Sequence, residues 1–209
     1  MRNLTRFLAL VGLVGMTASC GDVVRNGKSP SYLVIDSLAG IRGASTLGTP
    51  ASTLISDVIT NVSTPPPCTQ ASPCPTIFGD SGQAIMHIAL KDPGTAATPT
   101  VPGPMNLITI DRYHVDYVRA DGRNTPGVDV PYGFDGAVTV TVSNATTTFG
   151  FSLVRVVAKE EGPLVQLKNS ASFITVLARV TFYGHDQAGN EVTATGQIQI
   201  DFGNFGDPA

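Results

Sequence analysis

Glu191-Val192-Thr193-Ala194-Thr195-Gly196-Gln197-Ile198-Gln199-Ile200-Asp201-Phe202 is the stretch whose pattern decides the fold class. Val192, Ala194, Ile198, Ile200 and Phe202 alternate with Glu191, Thr193, Thr195, Gln197, Gln199 and Asp201. Successive side chains of an extended chain point to opposite faces, so this spacing gives a strand with one apolar and one wet face. Upstream, Phe173 to Tyr183 repeats the pattern, with Ile174, Val176, Ala178, Val180 and Phe182 on one side and Thr175, Arg179 and Thr181 on the other. Gly184-His185-Asp186-Gln187-Ala188-Gly189-Asn190 joins the two runs, which predicts a long hairpin.

Six further segments read as strands: Tyr32 to Leu38, Thr53 to Asn61, Gln83 to Leu90, Leu107 to Arg119, Ala137 to Val142 and Phe149 to Ala158. About eight strands separated by turn residues, with no long segment of helical period, predict a single all-β antiparallel sandwich with long loops. Within Leu107 to Arg119 the apolar parity shifts near Asp111, from Ile108 and Ile110 to Tyr113, Val115 and Tyr117. A bulge or a crossing between sheets produces such a shift. The one helix candidate is short, Gly162 to Lys168, with Pro163 in its first turn.

The segment Phe182-Tyr183-Gly184-His185-Asp186-Gln187-Ala188-Gly189-Asn190-Glu191-Val192 is similar to the D-x-A-G-N turn near the last hairpin of many bacterial immunoglobulin-like domains. Asp and Asn bond neighbouring backbone amides there, and Gly accepts positive φ. The resemblance implies an immunoglobulin-like sandwich and a structural, adhesive or binding module.

The first twenty residues point to an address. Arg2 and Arg6 precede an apolar run from Phe7 to Met16, followed by Thr17-Ala18-Ser19-Cys20, the order of a secretory signal. The run is too short to cross a bilayer, which takes about 20 apolar residues. It resembles the signal of bacterial lipoproteins, in which small residues precede a cysteine that is lipidated and becomes the new N-terminus, although Thr17 stands where Leu is most frequent. That resemblance implies a signal peptide over 1–19, lipidation of Cys20, a flexible tether over 20–30 and the sandwich over 31–209. Cleavage after Ser19 by ordinary secretion is the competing outcome. Two or three acyl chains anchor a protein stably, where one does not. Gly21 stands where the inner-membrane retention signal of some Gram-negative bacteria has Asp, which implies the outer membrane.

Cys68 and Cys74 flank a stiff run, Pro65-Pro66-Pro67-Cys68-Thr69-Gln70-Ala71-Ser72-Pro73-Cys74-Pro75. A disulfide closing so short a loop contributes roughly 2 to 2.5 kcal/mol in the chain-entropy description. A zinc site is the alternative, but it needs further Cys or His ligands at close spacing. Charged residues make up 14% of the chain, at a net charge of −3, and no basic run is present, so nucleic acid is not an expected partner.

The loop from Asp121 to Gly136 concentrates polar side chains. Asp121, Asn124, Asp129 and Asp135 supply the hard oxygen atoms that calcium takes in sets of six to eight. The spacing is not that of an EF-hand, and Asp and Asn beside Gly and Pro also build ordinary long turns. Tyr132 and Phe134 are expected to pack beneath the loop. His87, His114 and His185 fall on different strands or at a strand end, with His114 on a solvated face. Gly79-Asp80-Ser81-Gly82 is similar over four letters to the nucleophile segment of chymotrypsin-like proteases, but the rest of that pattern is missing, and Ser81 reads as a turn residue. Lys159-Glu160-Glu161 reads as a solvated turn. No Trp is present to stack sugars.

The sequence therefore predicts an envelope lipoprotein that is not an enzyme, binds no cofactor and docks a protein partner or serves as a scaffold. The alternative is a calcium-stabilised ligand binder of adhesin or glycan-binding type, built on the Asp121 to Asp135 loop.

Overall fold

The computed structural model describes residues 27–44 and 48–206, and Cys20 with the whole signal segment lies outside them. The described chain is all-β, with ten strands. They are β1 (Ser31–Ile41), β2 (Thr53–Asp57), β3 (Thr60–Val62), β4 (Cys74–Thr76), β5 (Asp80–Leu90), β6 (Ile108–Val118), β7 (Phe134–Val142), β8 (Thr147–Val154), β9 (Phe173–Asp186) and β10 (Glu191–Gly203). One sheet has the order β1-β5-β8, a second β2-β10-β9-β6-β7, and β3 pairs with β4 in a small ribbon. The count exceeds the expected eight because Thr53 to Asn61 breaks into β2 and β3, and because Cys74–Thr76 forms a strand of its own.

The hairpin predicted from the C-terminal alternation is the centre of the larger sheet. β9 and β10 pair from Glu191 opposite His185 to Gly203 opposite Phe173. The turn is tighter than expected because pairing extends to His185 and the Asp186 N–H bonds the Asn190 carbonyl at 3.0 Å. The Asp186 carboxylate accepts the N–H groups of Ala188 and Asn190, each at 2.9 Å, and the Asn190 amide at 2.8 Å, while Gly189 takes φ +79°. Burial works to raise the Asp186 pKa, but the hydrogen bonds from Asn190, Ser29 and Ala188 outweigh it, so the carboxyl lies below its ordinary value.

The parity shift in β6 is a bulge at Asp111, the extra residue between Ile110 and Arg112 in the pairing with β9, and the register with β7 shifts at the same place. One pairing departs from the antiparallel expectation: β2 runs parallel to β10, with Thr53 opposite Gln199 and Asp57 opposite Gly203. Alternation fixes which face a residue takes but carries no information on strand direction, which here follows from the chain leaving β1 in one sheet to enter the other.

The inner faces of the two main sheets share one hydrophobic core, which fits a β-sandwich. Its centre is aromatic. Phe182 of β9 meets Phe151 and Phe149 of β8 at centroid distances of 5.3 and 5.6 Å, and Tyr113 of β6 meets Phe151 at 5.2 Å, all edge to face. Two tyrosine hydroxyls also bridge the sheets: Tyr117 donates to the Leu153 carbonyl at 2.7 Å, and Tyr113 accepts the Ser152 N–H at 3.1 Å. Gly136 of β7 leaves room for the Tyr113 ring, since a Cβ there would stand 2.2 Å from that ring.

Phe149 to Ala158 does not remain extended throughout. β8 ends at Val154, and Val156–Glu160 forms a helical turn, α1. The predicted helix over Gly162 to Lys168 is a 3-10 segment, Leu164–Asn169, whose Leu164 and Leu167 are buried. Ser81 lies inside β5, opposite Ile41 and Ser152, not in a turn before it.

Phe182 is fully buried among three aromatic rings. Truncating such a side chain removes apolar contact and leaves a cavity. Phe182→Ala is expected to lower the unfolding free energy by about 3 to 5 kcal/mol, read as a fall in urea midpoint at unchanged m-value.

Candidate functional site

Residues 119–133 connect β6 to β7 and carry most of the predicted site. Asp121 does not stand free in this loop: Arg119 and Arg123 each place a guanidinium nitrogen 2.7 Å from its Oδ2. Hydrogen bonds from Arg119 and then Arg123 hold the Asp121 carboxyl well below the usual carboxylate range. Asn124 Oδ1 accepts the Arg119 N–H at 2.6 Å, and Asp129 Oδ2 accepts the Thr125 N–H at 3.2 Å. Asp135 belongs to β7 and pairs with His114. The four predicted oxygen donors thus have hydrogen-bond partners within the protein, Asp121 and Asn124 sharing Arg119, and no group of three or more His, Cys, Asp or Glu side chains is placed to hold a metal ion among the described residues. Phe134 packs under the loop as expected, with Arg155 over its ring at 4.5 Å, but Tyr132 is exposed.

His114 lies on the outer face of β6. Its Nδ1 is 2.9 Å from Asp135 and its Nε2 is 3.0 Å from Asp116. Only the imidazolium can donate from both nitrogens. Burial pulls its pKa down, but the hydrogen bonds and charges of Asp135 and Asp116 outweigh that and raise it above the ordinary 6.5. His87 bonds Asp36 at 2.9 Å, and His185 stands 3.4 Å from Asp111. The histidines are therefore distributed over three carboxylate partnerships. Ser81 is exposed and lies six residues from His87 on the same strand, about 20 Å away at about 3.3 Å per residue.

The Cys68–Cys74 disulfide is formed, with the Cα atoms 5.3 Å apart. It sits beside the β3–β4 ribbon, where Cys74 pairs opposite Val62.

One polar cluster was not legible in the sequence. Lys159, expected in a solvated turn, has a fully buried side chain 2.8 Å from Asp80 Oδ2, also fully buried. Its ammonium also donates to the Asp57 carbonyl at 2.8 Å. Asp80 accepts Ser56 Oγ at 2.6 Å on Oδ2 and the Gly43 N–H at 2.8 Å on Oδ1. The Asp57 carboxylate takes Arg42 Nη2 at 2.6 Å and the Phe205 N–H at 3.2 Å. Burial lowers the Lys159 pKa against the opposing pull of Asp80, and burial followed by the charge of Asp80 raises that of Tyr117. The only hint in the sequence is that Lys159 follows the apolar Val156-Val157-Ala158 without a turn residue.

Two open depressions lie on the surface of the described residues. A depression of about 320 Å³ on the outer face of β6, β9 and β10 is lined by Asp111, Arg112, Tyr183, His185, Glu191 and Thr193, with Arg112 stacked 3.9 Å over the Tyr183 ring. A second, of about 420 Å³, lies between Arg119, Asp121, Phe173, Leu177 and Gln199. Compared with family models, with curated proteins and with solved structures, the chain matches none.

Two outcomes test this surface chemistry. A pKa raised on folding stabilises the protein fully below the unfolded value and loses that contribution as pH rises through the folded value. The stability advantage of wild type over His114→Gln should therefore be present at about pH 5.5 and shrink by about pH 8.5, in chemical unfolding at each pH, with a size of about 0.2 to 1 kcal/mol for so exposed a pair. Because Arg119 and Arg123 already neutralise Asp121, EDTA should move the melting temperature by less than about 1 °C, whereas a bound calcium ion would make it fall.

Proposed function

We propose that this chain is an envelope lipoprotein, anchored through acyl chains on Cys20 in the outer membrane, whose immunoglobulin-like sandwich acts without catalysis as a scaffold or as a docking module for a protein partner. The observation that carries the reading is the order of the first twenty residues, basic, apolar, small, then Cys20. The disulfide agrees with an oxidising compartment. The Asp186 turn supports the immunoglobulin-like likeness, since its Asp, Gly and Asn do the work expected of that motif.

The chain reaches β1 through residues 27–30, which are held at the end of β5: Lys91 Nζ donates to the Gly27 carbonyl at 2.9 Å and the Lys91 N–H to the Pro30 carbonyl at 2.8 Å, while the Ser31 hydroxyl at the start of β1 donates to the Asn106 carbonyl at 2.7 Å. Those contacts sit beside the end of β5 and the start of β6, whereas Lys159, Asp57 and Phe205 gather where β2, β8 and β10 end. An anchor at Cys20 would leave the latter pole and the sheet edges turned away from its attachment. β7 is the edge best suited to pairing with a partner strand. It is nine residues long, ends the five-stranded sheet and alternates exposed with half-buried side chains from Asp135 to Thr141, and an open strand edge offers unpaired backbone groups to another chain.

The address is tested by Cys20→Ser, which should release the protein from the membrane fraction and remove the fatty-acid mass from its N-terminal peptide. Docking is tested by Thr139→Lys with Thr141→Lys, two changes on the exposed face of β7. The double variant should keep the wild-type melting temperature within about 1 °C and lose the protein neighbours that wild type captures by chemical crosslinking in intact membranes. Unchanged membrane retention would overturn the anchor, and unchanged neighbours would overturn the edge.

A further inference from the structure

The Lys159–Asp80 pair has no part in the proposed docking role, and its surroundings point to a chemistry of its own. Both side chains are completely shielded from solvent, and Nζ lies 2.8 Å from Oδ2. The two groups are held from every side. The Lys159 ammonium has a second acceptor in the Asp57 carbonyl at 2.8 Å, and the Asp80 carboxylate has the Gly43 N–H at 2.8 Å on Oδ1 and the Ser56 hydroxyl at 2.6 Å on Oδ2.

We propose that Lys159 and Asp80 condense into an intramolecular amide, a covalent side-chain link between α1 and the first residue of β5. The Nζ–Cγ bond forms and the Cγ–Oδ2 bond breaks. Of the three protons on the ammonium, two leave with Oδ2 as water and one stays on the amide nitrogen. An ammonium and a carboxylate thus give an amide and water, with nothing oxidised or reduced and no outside reactant.

Each polar atom of the product already has its partner in place. Oδ1 becomes the amide oxygen and keeps the Gly43 N–H, which also faces the negative charge that develops on this oxygen as Cγ becomes tetrahedral. The remaining N–H points to the Asp57 carbonyl. The Ser56 hydroxyl lies on the oxygen that departs. The reaction also replaces two buried charges by one neutral group, and it is the charges whose burial is costly.

Two further effects act in the same direction. Burial lowers the Lys159 pKa, which brings the neutral, nucleophilic amine within closer reach. Holding amine and carboxyl in contact replaces an encounter in solution by an intramolecular step, with effective molarities of about 10⁵ to 10⁸ M for well-oriented groups. The link would tie the start of β5 to the segment that follows β8, at the end of the ladder where Asp80 pairs with Val154.

Peptide mapping of the folded full-length protein tests this directly. Trypsin cuts after Arg42, Lys91, Arg155 and Lys168, so the digest should yield, from most molecules, a branched species joining residues 43–91 to residues 156–168. It should be one water lighter than the sum of the two peptides, uncut at Lys159, with fragment ions placing the bond between Lys159 and Asp80. Lys159→Met should abolish it. Recovery of the 43–91 peptide at full mass, with free Lys159, from most of the wild-type protein would overturn the proposal, as would a branch at any other acidic residue.

Discussion

The buried ion pair between Lys159 and Asp80 is the point at which four separate segments of the described chain are tied together. Around it meet the segment after β1 through Gly43, β2 through Ser56 and Asp57, the start of β5 through Asp80, and α1 through Lys159. Arg42 and the Phe205 N–H extend the network through the Asp57 carboxylate. A buried charge pair is a poor source of net stability, because desolvation offsets the attraction, but removing one partner costs about 3 to 5 kcal/mol because the other is left unpaired. In the arrangement observed, the Lys159 ammonium and the Asp80 and Asp57 carboxylates each find partners on other segments, which ties those segments together. The parallel placement of β2 beside β10 belongs to that arrangement, since Asp57 closes this pairing opposite Gly203 while its carbonyl holds Lys159.

The two main sheets are held together by aromatic packing and by tyrosines that join apolar contact to a directed hydrogen bond. Phe149 and Phe151 from one sheet interlock with Phe182 and Tyr113 from the other. Apolar burial is non-directional, so it brings the sheets together without fixing their offset. The hydroxyl of Tyr117 on the Leu153 carbonyl and that of Tyr113 under the Ser152 N–H supply the missing direction.

The outer faces tell a different story. Short local partnerships use up the side chains that looked chemically promising: Asp121 with two arginines, and each histidine with an aspartate. The depressions on these faces are open, and β7, the proposed docking edge, ends the five-stranded sheet. These features support a scaffold or docking role and give the proposed lipid anchor a body to hold.

Alternation alone determined the strands and their inward faces, from Val192 to Phe202 and from Ile174 to Phe182, because period-two patterning is a local property of the chain. Local chemistry likewise determined the Asp186 turn and the Cys68–Cys74 bond, each formed by residues close in sequence, whereas the parity shift near Asp111 left a bulge or a crossing open and the pairing of β6 with β9 made it a bulge. The tertiary structure decided that β2 lies parallel to β10, that Ser81 is part of a strand and that Phe149 to Ala158 breaks into β8 and α1. It also decided which groups bond Asp121, Asn124, Asp129 and Asp135, with Arg119 holding both Asp121 and Asn124. Above all, it decided that Lys159 is buried. A lysine beside two glutamates reads as solvated, and only the distant Asp80 and Asp57, brought next to it by the packing of two sheets, provide the partners that let its charge leave water.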